Sequence, residues 1–176
     1  MASFTNIPKL VLLLILSSAA CNLVSTDQKL MEKECHNAEV PATCIECLNS
    51  DSGAKEADGV GIATIIVNCI NNLAESLAAN MSSLASGTRK KEAKVIFQWC
   101  AKGYSSAKKE LISSKQALKN GKYDAAEGSV SAALKSHVQC LDKIESNEEK
   151  VQENIVQKIR IYGELSEAAN RIIERL

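Results

Sequence analysis

The chain has 176 residues, of which 45% are hydrophobic and 24% are charged, with only two prolines and eight glycines. This length and composition fit a single compact domain and favour a helical protein. The 21 basic residues balance the 21 acidic ones, so bulk charge argues against a nucleic-acid partner or an anionic membrane surface.

Residues 1–25 have the features of a secretory signal peptide. Lys9 ends a short positive region, residues 10–16 form an apolar core, and small residues follow at 17–20. The apolar run is too short to span a bilayer. Cleavage after Ala20 would leave Cys21 at the new N-terminus, whereas cleavage near Ser25 removes Cys21 and leaves six of the seven cysteines. We therefore expect a secreted mature protein, residues 26–176, without a membrane anchor and in a compartment where disulfides form.

The first part of the mature chain, residues 26–57, is predicted to form a helical hairpin with its bend at Glu39-Val40-Pro41. Cys35 and Cys44 flank this bend with eight residues between them, a spacing that suits a disulfide across a short hairpin. Cys47 and Cys69 either form a third disulfide or remain buried thiols. The Cys44-x-x-Cys47 spacing occurs in redox motifs, but the strand–helix context of those motifs is absent here.

Residues 58–176 contain four segments with apolar residues at helical spacing, which predicts four amphipathic helices. Short loops at 86–88, 120–121 and 146–147 separate them and imply an all-α, up-down-up-down four-helix bundle. Gly87 and Gly121 are expected to be left-handed helix C-caps, and Asn147 an N-cap of the fourth helix. The predicted apolar stripes are Ile62, Ile66, Cys69, Leu73, Leu77 and Leu84; Ile96, Cys100, Gly103, Ala107, Leu111 and Leu118; Ala126, Val130, Ala133, His137, Leu141 and Ile144; and Val151, Ile155, Tyr162, Leu165, Ala169, Ile172 and Leu176.

Cys100 and Cys140 lie symmetrically about the turn dipeptide Asn120-Gly121. In two antiparallel helices joined at this turn, both cysteines lie at the same height, about 30 Å from it. This geometry favours a disulfide between the second and third bundle helices.

The sequence carries little that indicates catalysis. Only two histidines occur, His36 and His137, and neither has a second ligand-type residue at metal spacing. Phosphate-binding loops and nucleophile elbows are also missing from the sequence. We therefore predict a protein without cofactor, metal or enzymatic activity. His137 is interpreted as a core-edge histidine or as a sensor of acidic pH, and Asn80-Met81-Ser82 is an acceptor sequence for N-glycosylation.

An ordered set of motifs resembles the plant invertase and pectin methylesterase inhibitor family over essentially the whole mature length. No single motif is specific for the family, but the ordered set of motifs behind a signal peptide is specific. Ser52 replaces a proline that is usual in the family. The matching residues are Cys35, Cys44, Leu48, Ser50-Asp51 and Ala57-Asp58; Cys100, Tyr104, Ala107 and Leu111; Ala117-Leu118; Ser131-Ala132-Ala133; Cys140-Leu141-Asp142; and Leu165-Ser166 through Ile172-Ile173 to Leu176.

The resemblance implies a helical hairpin attached to a four-helix bundle, with the cysteines bridged as Cys35–Cys44 and Cys100–Cys140. It implies an inhibitor that forms a one-to-one complex over the active-site cleft of a wall or vacuolar carbohydrate enzyme. The expected location is the apoplast or cell wall, with the vacuole as the alternative. A secreted helical bundle with no inhibitory partner is a further alternative.

The resemblance also bears on the target enzyme. Many invertase inhibitors carry Pro-Lys-Phe where this chain has Tyr123-Asp124-Ala125, which lowers the expectation of invertase binding. Many esterase inhibitors carry Thr-Cys-x-Asp at the fourth cysteine, and here Gln139 replaces the threonine while Asp142 is present. The prediction is therefore pectin methylesterase, with acid invertase as the alternative. The expected target-binding residues are Tyr123, Asp124, Gln139 and Asp142, with Lys135 and Lys143 as rim charges.

Overall fold

The computed structural model describes residues 26–147 and 149–176, so the predicted signal peptide, residues 1–25, lies outside the described residues. Two short helices come first, followed by a 3-10 turn and four long helices. Their bounds are α1 Thr26–Asn37, α2 Pro41–Asn49, the 3-10 turn Ala54–Glu56, α3 Gly59–Gly87, α4 Lys91–Lys119, α5 Tyr123–Ser146 and α6 Glu153–Ile173.

The four long helices form an up-down-up-down bundle. α3 packs against α4 and α6, and α5 packs against the same two helices, so the four close into a ring around one core. The hairpin of α1 and α2 lies on α3 and α6. The all-α bundle with an N-terminal helical hairpin, predicted from periodicity and loop length, is therefore the observed fold.

Most residues of the predicted apolar stripes lie in the core, but the first stripe is partly wrong. In α3 the buried residues include Ile70, Ala74 and Met81, whereas Cys69, Leu73 and Leu84 are only partly buried. The largest fully buried aliphatic side chains of the core include Ile62, Ile66, Ile70 and Leu77 of α3, Leu111 of α4, and Leu165 and Ile172 of α6. By length and composition alone α3 could cross a membrane. Its apolar side packs inside the bundle, against α4 and α6.

Two helix boundaries agree with local chemistry. The Asp58 carboxylate accepts a 2.8 Å hydrogen bond from the Gly61 backbone N–H and caps α3. Gly121 has φ 66°, the left-handed conformation that glycine adopts without steric cost after a helix.

Two other boundary predictions are wrong. Gly87 stays within α3, and the chain leaves the helix in an extended conformation at Thr88. Asn147 follows the end of α5, where its side-chain amide donates to the Lys143 carbonyl oxygen. The Glu149 N–H donates to the Ile144 carbonyl oxygen and Gln152 is extended, so α6 begins only at Glu153.

This later start also changes the fourth predicted stripe. Val151 precedes α6, and Leu176 follows its end and is 40% exposed. The stripe inside α6 therefore runs from Ile155 to Ile172.

Three disulfides staple the helices. Cys35–Cys44 closes the hairpin, Cys47–Cys69 joins α2 to α3, and Cys100–Cys140 joins α4 to α5. Their Cα–Cα distances of 5.5, 6.2 and 5.1 Å lie in the ordinary range. The hairpin is thus covalently attached to the bundle, and α4 is attached to α5.

Polar contacts tie the hairpin to α6. The guanidinium of Arg175 lies 2.8 Å from the Glu34 carboxylate, and that of Arg171 lies 2.7 Å from the Glu39 carboxylate. The Thr43 hydroxyl donates to the Glu164 carboxylate. The hairpin is therefore held by the last helix as well as by α3.

Candidate functional site

The four predicted target-binding residues all lie on α5. Tyr123 is the first residue of the helix, half-buried and packed against the core. Asp124 is exposed in the first turn, where the positive end of the helix dipole favours a carboxylate. Gln139 and Asp142 are exposed on either side of the buried Cys140. Three of the four are thus accessible, and Tyr123 is accessible only in part.

The exposed residues share one side of α5 but do not form one cluster. Asp124 and Asp142 are 18 residues apart, which is about five helical turns, so they point to the same side about 27 Å apart along the axis. Gln139 lies about 60° round the helix from Asp142. The site is therefore an elongated helix face with one accessible residue at its start and two near the disulfide.

A compact group surrounds Gln139 and Asp142. Lys135, Val138, Gln139 and Asp142 are spaced by three or four residues, so they are neighbours on the helix surface, and all four are exposed. We call this group the 135–142 patch. It presents one cation, one anion, one amide and one apolar side chain.

Val138 belongs to this patch but was not predicted from the sequence. Its side chain is 55% exposed, which makes it one of the few large hydrophobic residues on the described surface. The available signal was its position outside the apolar stripe, between polar neighbours on the outer side of the helix. An exposed valine among polar groups is a suitable apolar contact for a partner protein.

The patch rests on a rigid support. Cys140 lies between residues 135 and 142 of the patch, is fully buried, and is bonded to Cys100 of α4. The Lys143 ammonium lies 5.0 Å from the centroid of the Trp99 ring on α4, a favourable cation–π distance. The buried disulfide and the cation–π contact at the surface together fix the α5 backbone against α4.

A buried aromatic cluster lies beneath the same stretch of α5. His137 stacks on Tyr162 of α6, with ring centroids 5.0 Å apart, and its Nδ1 lies 3.0 Å from the Tyr104 hydroxyl of α4. Burial lowers the pKa of His137 from 6.5 to about 4, and burial raises the pKa of both tyrosines. His137 is therefore neutral from neutral pH down to well below 6, which favours the interpretation as a core residue.

Within residues 26–147 and 149–176, no group of three or more His, Cys, Asp or Glu side chains could hold a metal ion. The outer side of α5 instead offers a contact surface with mixed charge.

The sequence matches one family model over most of its length. Residues 29–175 match the model described as plant invertase/pectin methylesterase inhibitor. The chain belongs to this family. Proteins of the family are enzyme inhibitors and not enzymes.

Three proteins similar to this inhibitor-family protein are distant from it in sequence. A pectinesterase inhibitor from Actinidia deliciosa is 24% identical over 136 residues, covering 77% of this chain and 74% of the relative. A mutant form of a pectin methylesterase inhibitor from Arabidopsis has a crystal structure that superposes with a TM-score of 0.71 at 23% identity, covering 83% of this chain and 96% of that one. A second structure, of a pectin methylesterase inhibitor from Arabidopsis thaliana, gives a TM-score of 0.64 at 22% identity, covering 86% and 98%. At these identities the structures establish the shared fold.

Proposed function

We propose that this family member is a secreted inhibitor of plant pectin methylesterase. In this proposal, residues 26–176 are the mature protein, and the outer side of α5 binds the esterase in a one-to-one complex that covers the active-site cleft. The observation that carries the proposal is the exposed pair Gln139 and Asp142 beside the bridged Cys140. The names of the relatives, pectinesterase inhibitor and pectin methylesterase inhibitor, support the same target.

The physical properties of the 135–142 patch support this role. A stable complex requires about 800 Å² of contact on each partner. A helix face fixed by the Cys100–Cys140 disulfide supplies such area with little loss of conformational freedom on binding. Val138 offers an apolar contact, while Lys135 and Asp142 provide charges that orient the approaching enzyme.

The family and the disulfides support the proposed location. Membership of this family together with three disulfides indicates a secreted cell-wall protein. We place the protein in the apoplast, where pectin methylesterase acts on wall pectin.

Acid invertase is the second candidate target, since the family includes invertase inhibitors. The specific observation in its favour is the exposure of Asp124 at the start of α5, where the resemblance places the tripeptide that enters invertase. Two observations argue against invertase as the target. The tripeptide itself differs, and part of the Tyr123 side chain is covered by the core.

A side-by-side titration tests the proposal. Purified mature protein is titrated against plant pectin methylesterase and against acid invertase at apoplastic pH. We expect a one-to-one endpoint with the esterase and much weaker inhibition of the invertase. Tight inhibition of invertase alone would reverse the assignment, and a folded protein that inhibits neither enzyme would contradict it.

Charge-neutralising variants test the surface. Asp142→Asn should weaken esterase inhibition by about tenfold or more, the loss expected for a central contact residue. Glu167→Gln is the matched control, because Glu167 is also exposed but lies on α6. Equal effects of the two variants, with unchanged folding by circular dichroism, would exclude the 135–142 patch as the binding surface.

A further inference from the structure

A cleft lies at the end of the bundle where α3 passes into α4 and the chain enters α6. Its volume is about 610 Å³, within the range of small-molecule sites in proteins. The buried ring of Phe97 lies at its base. Polar groups from three parts of the chain surround it, including Asn80, Ser83, Thr88, Lys90, Glu149 and Gln152.

Asn80 borders this cleft from the late part of α3. Its side chain is half-buried, and its amide forms no hydrogen bond with the described part of the protein. Asn80 is also the first residue of Asn80-Met81-Ser82, the acceptor sequence for N-linked glycans. An amide without a protein partner thus faces a polar cavity at a position where a sugar can be attached.

The lining has the chemistry that a sugar requires. The hydroxyls of Ser83 and Thr88 and the amide of Gln152 can donate to and accept from sugar hydroxyls. The apolar side chains of Leu84 and Phe97 offer contact to the C–H groups of a sugar ring. A hexose derivative attached at Asn80 would therefore find both kinds of partner in the cleft.

We propose that Asn80 carries an N-linked glycan and that the first N-acetylglucosamine of this glycan lies in the cleft between α3, α4 and the start of α6. The attached sugar fills the cavity and bridges three elements that no disulfide joins at this end of the bundle. Its role is to stabilise the fold, independently of the target enzyme.

The folded structure dictates when the glycan is attached. Met81 is fully buried, and the Ser82 hydroxyl donates to the Ala78 carbonyl oxygen within α3, so a transferase has no access to an extended acceptor. Attachment therefore precedes helix formation. The Asn80 Nδ2 bonds to the anomeric carbon of a polyprenyl-diphosphate-linked oligosaccharide and gives up one proton to solvent. The C–O bond of the donor breaks, and its electron pair leaves with the polyprenyl diphosphate, with no redox change.

Attachment is tested on the full chain secreted from eukaryotic cells. We expect intact mass to show one N-glycan, lost in both Asn80→Gln and Ser82→Ala. A mature wild-type protein with the unmodified mass would overturn the proposal. So would a glycan that persists in Asn80→Gln.

Seating of the sugar is tested after trimming the glycan to a single N-acetylglucosamine. We expect the trimmed protein to melt about 2–4 °C above Asn80→Gln, the shift that a few added hydrogen bonds produce in a domain of this size. Gln152→Ala should lower the melting temperature of the protein that carries the single sugar. The same substitution should leave the melting temperature of Asn80→Gln unchanged, so the difference between the two proteins becomes smaller. A melting temperature unaffected by the single sugar would overturn the seating.

A relocated glycan provides the control. Ser86→Asn, combined with Asn80→Gln, moves the acceptor to residues 86–88. Ser86 lies outside the cleft, in a smaller groove of about 380 Å³ that it shares with Gln98 and Lys102 and that contains no aromatic ring. We expect the single sugar there to leave the melting temperature unchanged. An equal rise at both positions would show a general effect of glycosylation and would contradict the cleft.

Discussion

The Tyr104 hydroxyl of α4 lies 3.0 Å from Nδ1 of His137 on α5, and both side chains are buried. With the ring neutral and its proton on Nε2, the tyrosine O–H donates to Nδ1. This contact joins the two helices that the Cys100–Cys140 disulfide also joins, one helical turn away. The stability of the bundle should therefore depend on the charge of His137.

Acid should weaken the fold through His137. Its pKa is about 4 in the folded protein against 6.5 for an unperturbed histidine, so the unfolded chain binds the extra proton between these values. Stability is complete above pH 6.5 and is lost progressively as the pH falls towards 4, by up to about 3 kcal/mol. Urea unfolding from pH 4 to pH 7 measures this loss.

Two variants separate His137 from the remaining titrating groups. His137→Gln should flatten the pH dependence in this window, whatever its effect on stability at pH 7. His36→Gln should retain the dependence, because His36 is exposed on α1. Parallel curves for His137→Gln and the wild type would rule out the histidine as the cause.

Gly163 of α6 provides the space for the His137 ring. A Cβ added at Gly163 would lie 3.2 Å from His137 Nε2, so the ring or the helix has to shift. Gly163→Ala should destabilise the protein by about 1–3 kcal/mol through overpacking. Gly128→Ala is the matched control, since its Cβ meets nothing within 4 Å inside α5, and alanine should stabilise that helix by about 0.5–1 kcal/mol. Thermal unfolding of both variants checks the opposite signs.

Removing disulfides should cost stability in the order of loop length. In the chain-entropy account, the Cys100–Cys140 bond contributes about 4 kcal/mol, and the Cys35–Cys44 bond about 3 kcal/mol. Each is a large part of the typical net stability of a domain. Denaturant unfolding of the paired Cys→Ala variants measures these losses. Unchanged unfolding of the wild type in reductant would show that the staples are dispensable.

The start of α5 should influence target choice. Replacing Tyr123-Asp124-Ala125 by Pro-Lys-Phe places proline at the first helical position, where it is tolerated. We expect the exchange to strengthen inhibition of acid invertase by about tenfold and to reduce esterase inhibition less than Asp142→Asn does. Parallel titrations of the two enzymes give the answer. An unchanged invertase curve would remove this turn as a determinant.

The sequence predicted the helices well because their signal is long and repeated. Each stripe spans several turns, so the antiparallel order survives an error at either end. The start of α6 was harder. Asn147 has a side chain typical of an N-cap, but its amide donates a hydrogen bond to a carbonyl oxygen at the end of α5. Local composition does not show which of the two helices the side chain will cap.

The prediction of surface residues from the sequence was limited by a different cause. Exposure of Gln139 and Asp142 follows from their distance from the apolar stripe of α5. The half-burial of Tyr123 and the exposure of Val138 depend on how neighbouring helices cover each side of α5. Such coverage is a property of the tertiary packing and not of periodicity.

The ion pairs Glu34–Arg175 and Glu39–Arg171 have a consequence for biosynthesis. The hairpin leaves the ribosome well before α6, because Arg175 follows its partner Glu34 by 141 residues. The hairpin can close its own Cys35–Cys44 bond at once, whereas the surface of α6 that it contacts exists only after α3, α4 and α5 have been made. Docking of the hairpin therefore joins two segments whose synthesis is separated by that of three long helices.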